Sequence, residues 1–165
     1  MTDNKNERIS KDQYFMEIAD VVSQRSTCIK RKVGAVLVKD SHIISTGYNG
    51  APSGFEHCTV DKCVRKNLRP GEKPELCRGV HAEINCVIQA AIHGTSIKGN
   101  TTLYSTTFPC MACLKLLINA GVRKIVYKED YNMDNKVKQD LLEESNIIMQ
   151  KFSKLNQELY KGDLK

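Results

Sequence analysis

A chain of 165 residues with 41% hydrophobic and 27% charged residues is suited to one compact globular domain. No apolar run approaches the roughly 20 residues of a membrane helix, and the polar start, Met1 to Lys11, lacks the apolar core of a secretory signal. The net charge of +6 is scattered without a nucleic-acid-reading motif, which favours small anionic ligands over polynucleotides.

The first predicted element is a helix capped by Ser10 and Asp12, with Tyr14, Phe15, Ile18, Ala19 and Val22 at helical spacing, fading near Arg25. Val33 to Val38 predicts a buried strand. Ile43 to Tyr48 predicts its hairpin partner across Lys39-Asp40-Ser41. Asn49 to Val80 is rich in Gly, Pro, Cys and charge, and lacks periodicity. An irregular stretch of that length inside a domain is functional, tied down, or both. Beyond it come a helix (His81 to His93), a strand (Thr101 to Thr106) and a helix (Cys110 to Ala120) ending at Gly121. A strand (Arg123 to Tyr127), a helix (Asn135 to Ser145), a short strand (Ile147 to Met149) and a polar tail from Lys151 complete the chain. This order predicts an α/β fold: a single domain over 1–165, a three-layer α/β/α sandwich around a five-stranded mixed sheet.

Seven cysteines without a secretory signal predict a reducing, cytoplasmic setting. Clustered cysteines there act as metal ligands more often than as disulfides. The sharpest pattern pairs His81-Ala82-Glu83 with Pro109-Cys110-Met111-Ala112-Cys113, each at a predicted helix start after irregular chain. His81, Cys110 and Cys113 supply three ligands to a zinc ion and leave its fourth position for water, as catalysis requires. Cys110 and Cys113 share one helical turn, so both sulfurs can face one ion. Helix N-termini pointing at the metal favour thiolates. Glu83, two residues from His81, is placed to shuttle protons beside the metal without being a ligand. This H-x-E…P-C-x-x-C arrangement is the signature that zinc-dependent nucleobase deaminases carry.

Flanking residues narrow the class. Val33-Gly34-Ala35-Val36-Leu37-Val38, the loop Gly47-Tyr48-Asn49-Gly50-Ala51-Pro52-Ser53-Gly54, and Cys77-Arg78-Gly79-Val80 before His81 resemble the deoxycytidylate (dCMP) deaminase family. The resemblance runs from about Asp12 to Phe152. It implies a cytidine deaminase-like fold and hydrolysis of dCMP to dUMP and ammonia, feeding thymidylate synthesis. It implies that Asn49 contacts the deoxyribose, that Arg31 and Tyr131 contact the phosphate, and that Ala82 touches the substrate. It also implies a homo-oligomer, a hexamer in many relatives, activated by dCTP with Mg2+ and inhibited by dTTP. The effector would lie along the loop of Gly47, Tyr48, Gly50 and Gly54.

The residues themselves also allow plainer roles. Asn49-Gly50 suits a tight turn, Arg31 lies among the solvated charges Lys30 and Lys32, and Tyr131 suits a loop cap. Cys28, Cys58, Cys63 and Cys77 form a soft set that would close a second, structural zinc site and tie down the insertion, as in some relatives. They read otherwise as ordinary thiols, and Cys86 reads as core. Two other functions stay in view: a tRNA adenosine deaminase, and a non-catalytic zinc scaffold. An acid at Glu83 speaks against the scaffold.

Overall fold

The computed structural model describes residues 8–69, 71–131 and 136–153. The tail therefore lies outside the described residues from position 154, and the start of the predicted fourth helix, Asn135, lies outside them too.

The elements follow the predicted order: α1 (Lys11–Ser23), β1 (Gly34–Lys39), β2 (His42–Tyr48), α2 (Ala82–Ile92), β3 (Thr101–Thr107), α3 (Met111–Ala120), β4 (Lys124–Glu129), α4 (Lys136–Glu144) and β5 (Ile148–Lys151). Ser10 caps α1, its side chain accepting from the Gln13 N–H at 3.1 Å. Asp12 instead ties α1 to the sheet. Its carboxylate accepts from the Tyr104 hydroxyl at 2.7 Å and the Gln150 amide at 3.1 Å. The β1–β2 turn places both Asp40 and Ser41 at positive φ, the twist that a two-residue hairpin loop needs.

The sheet runs β2-β1-β3-β4-β5. β1 is antiparallel to β2 and β3, whereas β3, β4 and β5 are mutually parallel in register. Alternation along the strands feeds two cores. Ala35, Leu37, Leu103 and Ile125 face a cluster with Ala82, Cys86 and Ala90 of α2 and Leu114 and Leu117 of α3, and Leu141 and Leu142 of α4 pack at its margin. Val36, Val38, Tyr104 and Val126 face the opposite cluster with Phe15, Met16 and Ala19 of α1. Helices thus cover both faces, giving the three-layer sandwich. Two details of α1 differ from the sequence reading. Tyr14 lies on the outward face, 48% exposed, while Met16 is buried. The apolar stripe is narrower than the spacing of apolar residues suggests.

Two glycines let helices lie directly on strands. A Cβ on Gly34 would stand 2.1 Å from the Ala19 carbonyl oxygen of α1. One on Gly47 would stand 2.3 Å from the Ala82 carbonyl oxygen and 2.6 Å from the Cys86 nitrogen of α2. Both obstacles are backbone and cannot rotate away. Gly47→Ala is therefore expected to destabilise the protein by about 2 kcal/mol or more, measured as a lowered urea midpoint. An unchanged midpoint would show that α2 can lift from the sheet at no cost.

Among its described residues, the segment from Asn49 to Val80 is irregular apart from one 3-10 turn at Pro74–Leu76. A bridge between Gly50 and Val80 closes its ends, so the insertion leaves and rejoins the domain at one point.

Candidate active site

The closing end of the insertion and the β3–α3 loop deliver the motif residues to one place. His81 and Cys110 are the N-caps of α2 and α3, each with extended backbone and no side-chain capping bond. Each helix therefore starts one residue later than its motif suggests. The cap side chain, normally spent on the first free N–H groups, is left to point elsewhere. Here His81 Nδ1 lies 3.3 Å from both the Cys110 and the Cys113 sulfurs. The three ligand atoms fall within 4.8 Å of one another.

A tetrahedral zinc with ordinary bond lengths would separate a nitrogen and a sulfur ligand by roughly 3.5 Å. The observed spacing needs only a small adjustment, and the soft donor set suits zinc. Cys110 is lowered to about 4, first by its hydrogen bond with Cys113 and then by His81, despite its burial. Cys113 is pushed up by the same bond and by burial. His81 is pushed up, chiefly by its bond with Cys110. A dication among these atoms replaces the shared protons.

Glu83 sits in the first turn of α2, only 4% exposed. Burial raises its carboxyl pKa, only partly offset by its own backbone N–H and by His81. Its Oε2 is 3.7 Å from the Cys113 sulfur, so the acid lies beside the ligand triangle.

The triangle opens into a cavity of about 220 Å³ lined by His81, Ala82, Glu83 and Cys110. Asn49, Gly50, Arg31 and Tyr131 line the same cavity, so every residue expected to touch the substrate reaches it. Asn49 is also a brace. Its Oδ1 accepts from the Val33 N–H at 2.8 Å, and its Nδ2 donates to the Arg31 carbonyl at 2.9 Å. Among the described residues, one amide N–H is left without a partner. The backbone carbonyl of Asn49 accepts from the buried Ser26 hydroxyl at 2.7 Å. The Arg31 guanidinium lies 5.9 Å from the centre of the Tyr131 ring.

Cys28, Cys58, Cys63 and Cys77 are half-buried thiols, and all line this cavity. Burial raises the Cys58 thiol, and Cys28 and Cys77 raise it further, so these thiols feel one another. Among the described residues, the tight ligand triangle is confined to His81, Cys110 and Cys113. Cys86 is core, fully buried, with its thiol donating to the Ala35 carbonyl at 3.2 Å.

The loop residues Gly47, Tyr48, Gly50 and Gly54 line a second cavity of about 790 Å³ beside β2 and α2, together with Arg25, His57 and His93. Gly50 borders both cavities. The helix contact of Gly47 was not legible in the sequence, which placed Gly47 near the end of a strand and at the start of the glycine-rich loop.

Among the described residues, no helix is long and apolar enough to cross a membrane.

Known proteins resemble this chain in sequence and in fold. The family described as "Cytidine and deoxycytidylate deaminase zinc-binding region" matches residues 9–129. Deoxycytidylate deaminase of Schizosaccharomyces pombe is 39% identical over 130 residues, covering 78% of this chain and 40% of that protein's length. The chain thus spans less than half of that yeast relative. Deoxycytidylate deaminase of Enterobacteria phage T2 is 33% identical and covers 87% of this chain and 93% of its own. The dCMP deaminase of cyanophage S-TIM5, solved in complex with dCMP and dUMP, superposes with a TM-score of 0.72 at 30% identity, covering 89% of this chain and 100% of that one. With the family match over residues 9–129 and the fold in agreement, the chain belongs to the cytidine and deoxycytidylate deaminase family.

Proposed function

We propose that this protein hydrolyses dCMP to dUMP and ammonia, supplying dUMP for thymidylate synthesis. The observation that carries the reading is the triangle of His81, Cys110 and Cys113 with buried Glu83 beside it, opening on a cavity lined by cations. A buried carboxyl next to the ligands would be a liability in a purely structural zinc site; a proton shuttle needs it.

Zinc, when held by His81, Cys110 and Cys113, supplies a Lewis acid that makes water nucleophilic near neutral pH. Glu83 takes the proton of the water that adds to C4 of the cytosine ring and delivers it to N3. It then moves a second proton to the exocyclic amine, the C4–N bond breaks, and ammonia leaves as the C4 carbonyl forms. A carboxyl with a raised pKa accepts and returns protons with little bias, which suits both steps. Asn49 holds the deoxyribose with its spare N–H, Arg31 and Tyr131 hold the phosphate, and Ala82 borders the ring.

Around this centre the proposal extends to three finer points. A second, structural zinc held by Cys28, Cys58, Cys63 and Cys77 ties down the insertion; their shared cavity and mutual influence support it. Native protein then binds two zinc ions per chain, and Cys28→Ser or Cys77→Ser binds one and melts earlier, read by elemental analysis and calorimetry. Unchanged stoichiometry in both variants removes the second site. The outer cavity takes a regulatory nucleotide, dCTP with Mg2+ as activator and dTTP as inhibitor; its cationic Arg25 and the two histidines suit phosphates. The protein works as a cytoplasmic homo-oligomer, a hexamer by analogy with relatives, and exposed Ile43, Ile88 and Ile92 along β2 and α2 offer an apolar contact.

Purified zinc-loaded protein offered dCMP, CMP, deoxycytidine and a tRNA side by side tests the substrate. Preferred turnover of dCMP supports the reading, and turnover of the tRNA alone overturns it.

A further inference from the structure

Part of the insertion, residues 65–69, is pinned against the segment that carries Arg31. Lys30 Nζ donates to the carbonyl of Arg65 at 2.8 Å and to that of Leu68. The segment is folded on itself as well. Arg65 Nε donates to the Glu72 carbonyl at 3.1 Å, and the Arg69 N–H donates to the Glu72 carboxylate at 3.0 Å. Next to Glu72, Gly71 comes so near Tyr131 that a Cβ there would stand 3.2 Å from the Tyr131 hydroxyl. The Arg31 guanidinium lies over the same tyrosine ring. Arg31, Tyr131 and Arg65 are thus joined through a short run of contacts along one side of the cavity, and all three line it.

The charge there is unbalanced. Lys30, Arg31, Arg65 and Arg78 line the cavity, where among the described residues Glu83 is the one carboxyl. Among the described residues, the ion pairs are formed by Lys62, Lys124, Lys128 and Lys151, and none by these arginines. Two of the four cations are committed elsewhere: Lys30 to carbonyls, and Arg78 to the Glu56 carbonyl at 3.4 Å and the Phe55 ring. Among the described residues, Arg65 spends only its Nε, which orients the guanidinium and keeps its two terminal nitrogens as donors. A planar fork with that freedom matches phosphate oxygens.

We propose that Arg65 is a specificity-determining residue that binds the 5′-phosphate of the nucleotide together with Arg31, with Lys30 as the residue that positions it. The inference rests on the reading of a nucleoside monophosphate as substrate. It gives the insertion a role in substrate choice: the loop carries a cation to the phosphate, and a nucleoside without phosphate leaves that cation unanswered.

Two measurements on zinc-loaded protein test it. In steady-state kinetics, Arg65→Gln lowers the ratio of kcat/KM for dCMP over that for deoxycytidine by about 10- to 100-fold, the effect lying in KM. Arg65→Lys, which keeps the charge but not the fork, falls between. In calorimetry, 2-deoxyribose 5-phosphate binds Arg65→Gln more weakly by a similar factor. Equal losses on dCMP and deoxycytidine would reduce Arg65 to a structural prop and overturn the proposal. Equal binding of the sugar phosphate by native protein and variant would overturn it too. If native protein leaves dCMP untouched while Arg65→Gln still loses sugar phosphate, the substrate reading fails and the phosphate role of Arg65 stands.

Discussion

Glu83→Gln is expected to keep the native zinc content and lose about 10²- to 10⁴-fold in turnover of dCMP. The glutamine fills the same buried place in the first turn of α2 and still offers an oxygen near Cys113. It contributes no metal ligand, and neither did the acid it replaces: the triangle is His81, Cys110 and Cys113. What disappears is the capacity to take a proton from water and return it to the ring. Substrate affinity should change far less than turnover, because the proposed contacts to sugar and phosphate lie on other residues. Measured zinc content together with single-turnover rates checks this. A variant with full zinc and near-native turnover would show that another group moves the protons.

Removing the metal should abolish turnover and lower the melting temperature by about 10 °C. The arithmetic is one of linkage: an ion present at about a thousand times its dissociation constant stabilises the fold by about 4 kcal/mol. A chain of this size shifts its midpoint by roughly 2–4 °C per kcal/mol. The site also loses affinity as pH falls, since zinc requires the deprotonated thiols and the neutral imidazole. Cys113 and His81, both raised, still carry protons that the metal must displace. Affinity therefore rises with pH through the neutral range. Scanning calorimetry with and without chelator, repeated at two pH values, reads both effects. An unshifted midpoint in metal-free protein would mean that the triangle is held by the fold alone.

Much of this was legible in the sequence because its signals were local. An unbroken apolar run at Val36, Leu37 and Val38 reads as a strand covered on both faces, and it is one. Ser10 announces α1, and the spacing of Cys110 and Cys113 announces a turn of helix with both sulfurs on one side. The ligand set follows from residue types and spacing, though not the fact that His81 and Cys110 occupy N-caps. What stayed hidden depends on contacts between distant segments. Nothing near Gly47 says that α2 will press on it, and nothing near Asp12 says that Tyr104 will bond to it from 92 residues away. Asn49 was readable as a turn or a ligand. Its service as a brace for the chain around Arg31 depends on β1 and β2 being paired. Arg65 carries no local signal in the irregular loop, and its place depends on the bonds with Lys30 and Glu72.

The most direct test of the proposed chemistry is the mass of the product when zinc-loaded protein is incubated with dCMP in water enriched in heavy oxygen. The expected product is dUMP with one heavy oxygen at C4, with one ammonia per turnover, and both form about 10²- to 10⁴-fold more slowly with Glu83→Gln. Unchanged dCMP with zinc bound at His81, Cys110 and Cys113 would contradict it.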